Sequence, residues 1–448
     1  MAGRSATAGE PAGVLSTESI AVEADLCDYG DLHVTSGTHK EGLYFKVGSS
    51  LARGFISATE AVRKRSKFLR TPWWAKNGHV NTLVGHMLRG TRGHPGEGYD
   101  RMLLRTDDGG TLSIDVTKAA GVGEKGVGGA TEEPFVLMIA GLGGSSADPY
   151  TQAMTSACAR RGWKSAVICM RGTGQGPVTS GRLFSARRGS TDDVRFVMRE
   201  LKTKGVIEED QPIFGIGWSL GGCIMSNTVL EQDELDPPLR IEAAAALGAP
   251  YDLHESSELL KPFPNKIYSS RMAQGLVNIL KPVAHVFDGV HKNYLGEENS
   301  FEFNGDKCYE CKSILEFDEA LTAPFFGFKS AKDYYDFSSP GRRFSESSPS
   351  VPTILVSALD DPVVGNVGIP FEAARKNENV VVVATDSGGH LGWCQSTHLG
   401  CGFAKNTQET SWTEDLVMDF FHQALQQRQA KTGDAASSKA EAVASFPV

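Results

Sequence analysis

The chain has 448 residues, and its 45 lysines and arginines against 54 aspartates and glutamates leave a formal net charge of −9. A chain of this length can bury a large core, and its acidic balance argues against nucleic acid as the main partner. No stretch approaches the roughly 18 uncharged apolar residues of a membrane span, and the N-terminal region lacks the basic and apolar segments of a secretory signal. We therefore expect an intracellular, cytoplasmic protein without a transmembrane span.

Both ends of the chain differ in composition from its middle. Residues 1–41 mix small, polar and acidic residues, and residues 429–448 are rich in Ala, Ser and Lys. Such compositions predict a flexible N-terminal tail and a disordered C-terminal tail. The glycine-rich run AAGVGEKGVGGATEE, near the start of the folded part, predicts a long exposed loop.

Between the tails, short apolar runs alternate with segments of helical period. Eight runs are predicted strands, in chain order RMLLRT, LSIDVT, FVLMIAG, SAVICMR, PIFGIGW, IEAAAALGA, TILVSA and VVVVAT. This alternation predicts an α/β fold with an eight-stranded, mostly parallel sheet and helices on both faces. Residues 251–350 lack clear strands, which predicts a helical lid inserted between the two parts of the sheet domain, residues 42–250 and 351–428.

The 8 cysteines are spread along the chain and do not form a disulfide framework. Cys308 and Cys311 make a single C-x-x-C pair without a second pair or a nearby pair of histidines, which is a weak signal for zinc. We expect two ordinary cysteines and no metal site.

A serine ringed by glycines follows the apolar run PIFGIGW, and it has two interpretations. A dinucleotide-binding G-x-G-x-x-G loop would need glycine where the chain has Leu220, and no G-x-x-x-x-G-K-[ST] occurs. The segment instead matches G-x-S-x-G, from Gly217 through Ser219 to Gly221, between a predicted strand and a predicted helix. The pattern indicates a nucleophilic serine on a sharp turn, which needs a base and a carboxylate as partners.

Two candidate partners follow Ser219 in the chain order serine, acid, histidine. The run TILVSALDDPVVG places Asp360 and Asp361 after a predicted strand, and VVVVATDSGGH places His390 after the next one. The carboxyl ends of parallel strands meet at one edge of a sheet, so these groups are expected to lie together. We favour Asp361 because it precedes Pro362 in a turn, and Asp360 remains an alternative. Weaker alternatives are Asp386 and His398.

Acyl transfer also needs N–H donors for the oxyanion that forms on the substrate. The strand FVLMIAG runs into the turn GLGGSS, whose backbone amides precede a predicted helix. We assign the oxyanion hole to the backbone N–H groups of Leu142 and of Leu220, the residue after the serine. The same glycines would also build a plain strand-to-helix turn.

A series of motifs covers most of the folded chain. In order they are TPWWAKNGHVNTL, LRTDDGGTLSIDV, GLGGSS, CMRGTGQGP with STDDV, GWSLGG, FDEALTAPFFGFKSAKDYYDFSS, ALDDPVV and GGHLGW. As a set they resemble the YheT-like, abhydrolase-domain branch of the α/β hydrolases, a family of serine esterases and lipases. The resemblance implies an α/β-hydrolase fold with Ser219 as nucleophile, Asp361 as acid and His390 as base. It also implies ester or lipid substrates, no cofactor, and a structural role for Arg171 beneath the site.

The motifs together predict a serine hydrolase that cleaves carboxylic esters, either acyl lipids or short- to medium-chain esters, through an acyl-enzyme. Two alternatives stay open. The same triad could transfer the acyl group to an alcohol or an amine if the lid excludes water. The chain could also be a binding protein of hydrolase fold that has lost turnover, although an intact triad argues against it.

One stretch of the sequence places basic residues beside aromatic ones, which suits peripheral contact with a membrane surface. The interpretation that we favour is a helix with a solvated basic face, with both tryptophans packed onto the core. The residues concerned are Arg63, Lys64, Arg65, Lys67, Phe68, Arg70, Trp73 and Trp74.

Overall fold

The computed structural model describes residues 13–15, 42–46, 48–58, 71–88, 96–118, 133–234, 240–394 and 412–444. Residues 119–132 of the predicted glycine-rich loop and the basic residues from Arg63 to Arg70 lie outside these ranges. The strands are β1 (Gly13–Leu15), β2 (Gly42–Phe45), β3 (Tyr99–Arg105), β4 (Thr111–Thr117), β5 (Phe135–Ile139), β6 (Ser165–Cys169), β7 (Ile213–Trp218), β8 (Ile241–Leu247), β9 (Thr353–Ala358) and β10 (Val380–Thr385).

One sheet contains all of these strands, in the order β1-β2-β10-β9-β8-β7-β5-β6-β4-β3. The strands from β10 to β6 in that order are parallel, whereas β3, β4, β1 and β2 pair antiparallel at the two edges. The central strands are buried along their whole length, as expected for a parallel sheet covered on both faces.

All eight predicted strands are present, but the predicted number is wrong because the sheet has 10 strands. The two additional strands are β1 and β2, which extend the sheet beside β10. Their residues are too few for an alternating pattern, and backbone pairing holds them, with Val382 of β10 opposite Tyr44 and Tyr44 opposite Val14. Residues 13–15, predicted as part of a flexible tail, therefore form an edge strand.

Helices cover both faces of the sheet. The α-helices are α1 (Ser50–Ala58), α2 (Gly78–Leu88), α3 (Pro149–Arg160), α4 (Ser190–Thr203), α5 (Leu220–Glu231), α6 (Leu253–Leu259), α7 (Lys266–Leu280), α8 (Gly305–Tyr309), α9 (Ile314–Phe317), α10 (Ala323–Phe325), α11 (Ala331–Ser338), α12 (Pro340–Glu346), α13 (Phe371–Lys376) and α14 (Trp412–Ala444). Helices α1, α3 and α14 pack apolar side chains on one face, and α4 and α5 pack on the other.

The stretch between β8 and β9, where the sequence predicts a lid, consists of helices and loops. We call residues 251–350 the helical insertion. Phe287, Phe325 and Phe326 of the insertion are buried in one apolar cluster with Ile139 of β5 and Ile224 of α5. The insertion therefore shares its core with the sheet domain, close to the ends of the central strands.

The C-terminal end differs from the prediction of a disordered tail after residue 428. Helix α14 continues to Ala444. Its last part is rich in Ala, which has the highest helix propensity, so the low-complexity composition that suggested disorder also favours a helix.

Candidate active site

Ser219 stands on a sharp turn between β7 and α5. Its backbone has φ 52° and ψ −121°, a conformation that non-glycine residues rarely adopt. A Cβ atom on Gly217 would clash with the carbonyl oxygen of Gly221, and one on Gly221 would clash with that of Ile139. Only glycine fits at these two positions, which is the physical reason for the G-x-S-x-G spacing. The Ser219 N–H donates to the Leu247 carbonyl at 2.9 Å and ties the turn to β8.

The structure brings Ser219, His390 and Asp361 into one hydrogen-bonded row. The Nε2 atom of His390 lies 2.9 Å from the Ser219 Oγ, and its Nδ1 atom lies 2.9 Å from the Asp361 Oδ2. The Asp361 side chain is 1% exposed and the His390 side chain 15% exposed. A proton on Nδ1, which the carboxylate favours, leaves Nε2 free to accept the serine hydroxyl proton.

The two neighbouring carboxylates have different partners. Asp361 accepts the N–H groups of Val363 at 2.8 Å and Val364 at 3.1 Å through its Oδ1 atom, so the turn fixes the carboxylate that faces His390. The structure does not bring Asp360, the alternative acid, to the imidazole. Of the remaining alternatives, Asp386 is exposed and His398 lies outside the described residues.

Asp360 instead holds the loop that carries the histidine. Its Oδ1 atom accepts the N–H groups of Gly388 at 2.9 Å and Gly389 at 2.8 Å. Burial raises the pKa of Asp360, the two backbone hydrogen bonds oppose the shift, and the charge of Asp361 adds to it. Sequence reasoning missed this role, because a carboxylate that binds backbone amides across two loops leaves no local pattern.

Helix α2 supplies a second support for the histidine loop. Thr82 accepts the N–H of His390 through its Oγ1 atom at 2.8 Å. A Cβ on Gly85 would clash with the backbone of Gly392, so α2 lies directly against the loop. The motif TPWWAKNGHVNTL, which contains Thr82, was the one signal in the sequence that pointed to this helix.

The residues assigned to the oxyanion hole lie beside the serine. Leu142 and Leu220 both line the same cavity as Ser219. A Cβ on Gly141 would lie 3.3 Å from the Ser219 Cβ, which shows how closely the β5 turn approaches. Leu220 opens α5, where the first N–H groups of a helix have no intrahelical acceptor. Tyr150 accepts the Gly141 N–H at 3.1 Å and steadies the turn.

A cavity of about 400 Å³ opens beside Ser219, and the helical insertion forms most of its wall. Its lining is largely apolar, with Leu260, Leu276 and Phe317 as examples. Two carboxyl groups also line it, those of Glu316, which is exposed, and Asp318, which is buried. Asp318 begins a π-helical turn, Asp318–Thr322, and Tyr335 donates to its Oδ2 atom at 2.8 Å. Burial raises the pKa of Asp318 to about 6, although hydrogen bonds from Thr322 and Tyr335 oppose the shift.

Arg171 is buried in an ion cluster and does not line that cavity. Its side chain is 2% exposed, and it donates to both carboxylate oxygens of Asp193 at 2.9 Å. It also donates to Asp108. Burial by itself would raise the pKa of Asp108, but hydrogen bonding and the Arg171 and Arg182 charges outweigh burial and hold it at about 2. The cluster joins the loops after β3 and β6 to α4.

The aromatic residues of the basic stretch have different environments. Trp73 is 81% exposed, so the interpretation in which both tryptophans pack onto the core is wrong for Trp73. Trp74 is half-buried. Within the described part of the chain, no helix combines the length and the apolar character needed to cross a bilayer.

Curated proteins with similar sequences come from several kingdoms. Embryogenesis-associated protein EMB8 of Picea glauca is 29% identical over 347 residues, covering 77% of this chain and 70% of that protein. Phospholipase ABHD3 of Bos taurus is 26% identical over 317 residues, with coverages of 69% and 71%. Monoacylglycerol lipase of Saccharomyces cerevisiae is 27% identical over 267 residues, with coverages of 58% and 55%. No model of a protein family matches the chain.

Among solved structures, the Pyrococcus furiosus esterase Pf2001 is 16% identical and has a TM-score of 0.40. The match covers 65% of this chain and 84% of that one. The fold is therefore assigned from the strand order, the strained serine turn and the helices on both faces of the sheet, which are features of this chain itself.

Proposed function

We propose that this chain, an ester-hydrolysing enzyme of the abhydrolase-domain α/β hydrolases, cleaves lipid carboxylic esters through an acyl-enzyme on Ser219. The observation that carries the proposal is the row of Ser219, His390 and Asp361, with 2.9 Å between each pair of neighbouring polar atoms, beside an apolar cavity. Three residues in the chain order of this fold and at hydrogen-bond distance support one nucleophilic mechanism.

In the first half of the reaction, His390 takes the proton of Ser219 while the Oγ atom attacks the ester carbonyl. The Asp361 carboxylate keeps the imidazole in the correct tautomer and stabilises the imidazolium that forms. The negative charge that develops on the carbonyl oxygen is met by the N–H groups of Leu142 and Leu220. Removing one such donor typically costs about 2.7 to 4 kcal/mol of transition-state stabilisation.

The first half ends when the imidazolium gives its proton to the leaving alcohol and the acyl group stays on Ser219. In the second half, water enters and attacks the acyl carbon while His390 removes a proton from it. The second tetrahedral intermediate then collapses as the imidazolium returns that proton to the Ser219 Oγ, and the carboxylic acid is released. All of these steps use groups of this chain and need no cofactor.

The cavity supports acyl lipids as the substrate class. Its wall is mostly apolar, and a volume of about 400 Å³ accommodates an acyl chain. Two relatives are named as a monoacylglycerol lipase and a phospholipase, and a third as a medium-chain fatty acid ethyl ester synthase/esterase. We propose a single-chain acyl ester as the favoured substrate, because one cavity of this volume adjoins the serine.

The test is covalent labelling with a fluorophosphonate probe, with the Ser219→Ala variant as the matched control. We expect the wild-type protein to be labelled and the variant to remain unlabelled. A wild-type protein that is folded but not labelled at Ser219 would sink the proposal and favour a binding protein that has lost turnover.

Hydrolysis of p-nitrophenyl esters of rising chain length would define the acyl group. We expect kcat/KM to rise with chain length until the cavity is full and then to fall. Adding a simple alcohol to the same assay separates hydrolysis from acyl transfer. A new ester as the main product would favour the transferase.

A further inference from the structure

The outer face of α2 is apolar and exposed, although its inner face holds the histidine loop. Val80 is 37% exposed, Leu83 is 61% exposed and Met87 is 68% exposed, and their spacing puts them on one side of the helix. Trp73, which is 81% exposed, precedes this helix. Contiguous exposed apolar groups of this size mark a contact surface more often than chance exposure does.

A second exposed apolar segment lies next to α2. Phe263 is 82% exposed and Ile267 is 51% exposed at the start of α7. The two helices meet where His79 Nδ1 lies 3.1 Å from the Tyr268 hydroxyl oxygen, with the rings stacked at 5.7 Å. The six side chains that we call the apolar rim are Trp73, Val80, Leu83, Met87, Phe263 and Ile267.

The part of the apolar rim at the start of α7 adjoins the cavity. Lys261 and Lys266, which lie on either side of Phe263 in the chain, both line the cavity. Thr82 of α2 accepts the His390 N–H at 2.8 Å, so the junction of the two helices lies near the triad. A flat surface that met the rim would thus face the route to Ser219.

The charges around the rim are mainly positive. Residues 71–88 and 259–280 contain no Asp or Glu, in a chain whose net charge is −9. The same two segments carry Lys76, Lys261, Lys266 and Arg271, all exposed, with Lys261 paired to Glu258. Exposed apolar side chains among mainly cationic neighbours complement a surface of acyl chains and anionic headgroups.

We propose that the apolar rim docks on an anionic lipid surface and presents the cavity opening to it. Trp73 takes the headgroup level, where an amphipathic ring is most favourable, and Leu83, Met87, Phe263 and Ile267 enter the acyl boundary. Docking itself is independent of catalysis, whereas the delivery of substrate to Ser219 rests on the proposed function.

The test is flotation of the full chain with phosphatidylcholine vesicles that contain or lack phosphatidylserine. We expect binding to the anionic vesicles, weakened at least about tenfold in the double variant Leu83→Glu/Met87→Glu and in Phe263→Ser/Ile267→Glu. The matched control is Leu103→Glu, at a 56% exposed leucine on the edge strand β3, which should bind like the wild type. Binding that is equal for all variants, or equal for both vesicle types, would overturn the proposal.

A site-specific readout uses brominated phosphatidylcholine, which quenches only tryptophans that reach the acyl region. We expect quenching in the wild type and its loss in Trp73→Phe, and unchanged quenching in that variant would contradict the placement of Trp73. Light scattering without vesicles measures the oligomeric state and so tests the alternative that the rim binds a second copy of the chain. A dimer that Leu83→Glu/Met87→Glu converts to a monomer would assign the surface to a second copy of the chain.

Labelling of Ser219 by the fluorophosphonate probe in the absence of vesicles checks that each variant is folded. The two proposals fail separately. A wild-type chain that floats but is not labelled rejects the hydrolase and keeps the docking surface. A chain that is labelled but does not float rejects the docking surface and keeps the hydrolase.

Discussion

Different forces organise two regions of the molecule: the carboxyl ends of the central strands, where Ser219 lies and which we call the catalytic edge, and the helical insertion. At the edge, backbone hydrogen bonds and clashes that only glycine avoids determine where each polar atom lies. In the insertion, aromatic side chains such as Phe287, Phe325 and Phe326 pack against one another, and their identities matter through volume and shape. The position of each polar atom at the candidate active site thus depends on individual residues, whereas the shape of the cavity depends on how many side chains pack together.

The sharpest test of this contrast uses the two adjacent carboxylates. Asp361→Asn is expected to lower kcat about 10⁴-fold, because an amide no longer stabilises the imidazolium or its tautomer. Asp360→Asn keeps an oxygen that accepts the Gly388 and Gly389 amides, so we expect kcat within about tenfold of the wild type. Steady-state kinetics on a p-nitrophenyl ester measure both. Equal losses in the two variants would break the positional assignment at the edge.

A glycine beside Ser219 should not tolerate substitution even by alanine, which adds a single carbon atom. Gly217→Ala places a Cβ against the Gly221 carbonyl oxygen, and neither backbone can yield without moving Ser219. We expect the free energy of unfolding to fall by about 3 kcal/mol, together with slower labelling of Ser219. Urea denaturation and labelling rates check the prediction, and a variant as stable as the wild type would show that the turn can relax.

In the insertion, the buried carboxyl of Asp318 should make stability depend on pH. Its pKa is raised from 3.8 to about 6 by burial, so the unfolded chain loses this proton first as the pH rises. Its contribution to the free energy of unfolding therefore falls between pH about 4 and about 6, by up to about 3 kcal/mol. Asp318→Asn should abolish this part of the pH dependence and be the more stable protein near pH 7. Urea denaturation across that range measures the difference, and parallel curves for the two proteins would contradict it.

The smallest expected effect is a gain in stability within the helical insertion. Gly275 lies within α7, and a Cβ there would meet no atom within 4 Å. Gly275→Ala should raise the free energy of unfolding by up to about 1 kcal/mol, because alanine favours the helix. Thermal unfolding measures it. Gly217→Ala, beside Ser219, is the variant to compare with it. If both variants lose stability, the proposed difference between the two regions is wrong.

The sequence predicts the sheet edge better than the insertion, for physical reasons. Continuous apolar runs mark buried parallel strands, and all eight predicted ones are present. The spacing of glycines around Ser219 follows from local backbone constraints. Asp361 and His390 each follow an apolar run that forms one of two adjacent parallel strands, so their positions can also be recognised in the sequence. The roles of Thr82 and Asp360 are not, because each joins residues far apart in the chain.

Short or ambiguous segments account for the other differences. Strand β2 has four residues, too few to show a period, and it exists because β10 offers an unpaired edge. Helix α14 extends beyond the predicted boundary because an alanine-rich composition is compatible with both a disordered segment and a helix. The shape of the cavity depends on how many aromatic rings pack together, which no local pattern encodes.

The support of His390 by α2 has a consequence for how the protein is made. Thr82 and His390 are 308 positions apart, and Ser219 lies between them. In the proposed mechanism, a nascent chain that has emerged only as far as β9 carries the nucleophile without its base. A chain truncated so that α2 is lost carries the base without its support. The proposed triad is therefore complete only when the early and late parts of the chain have met.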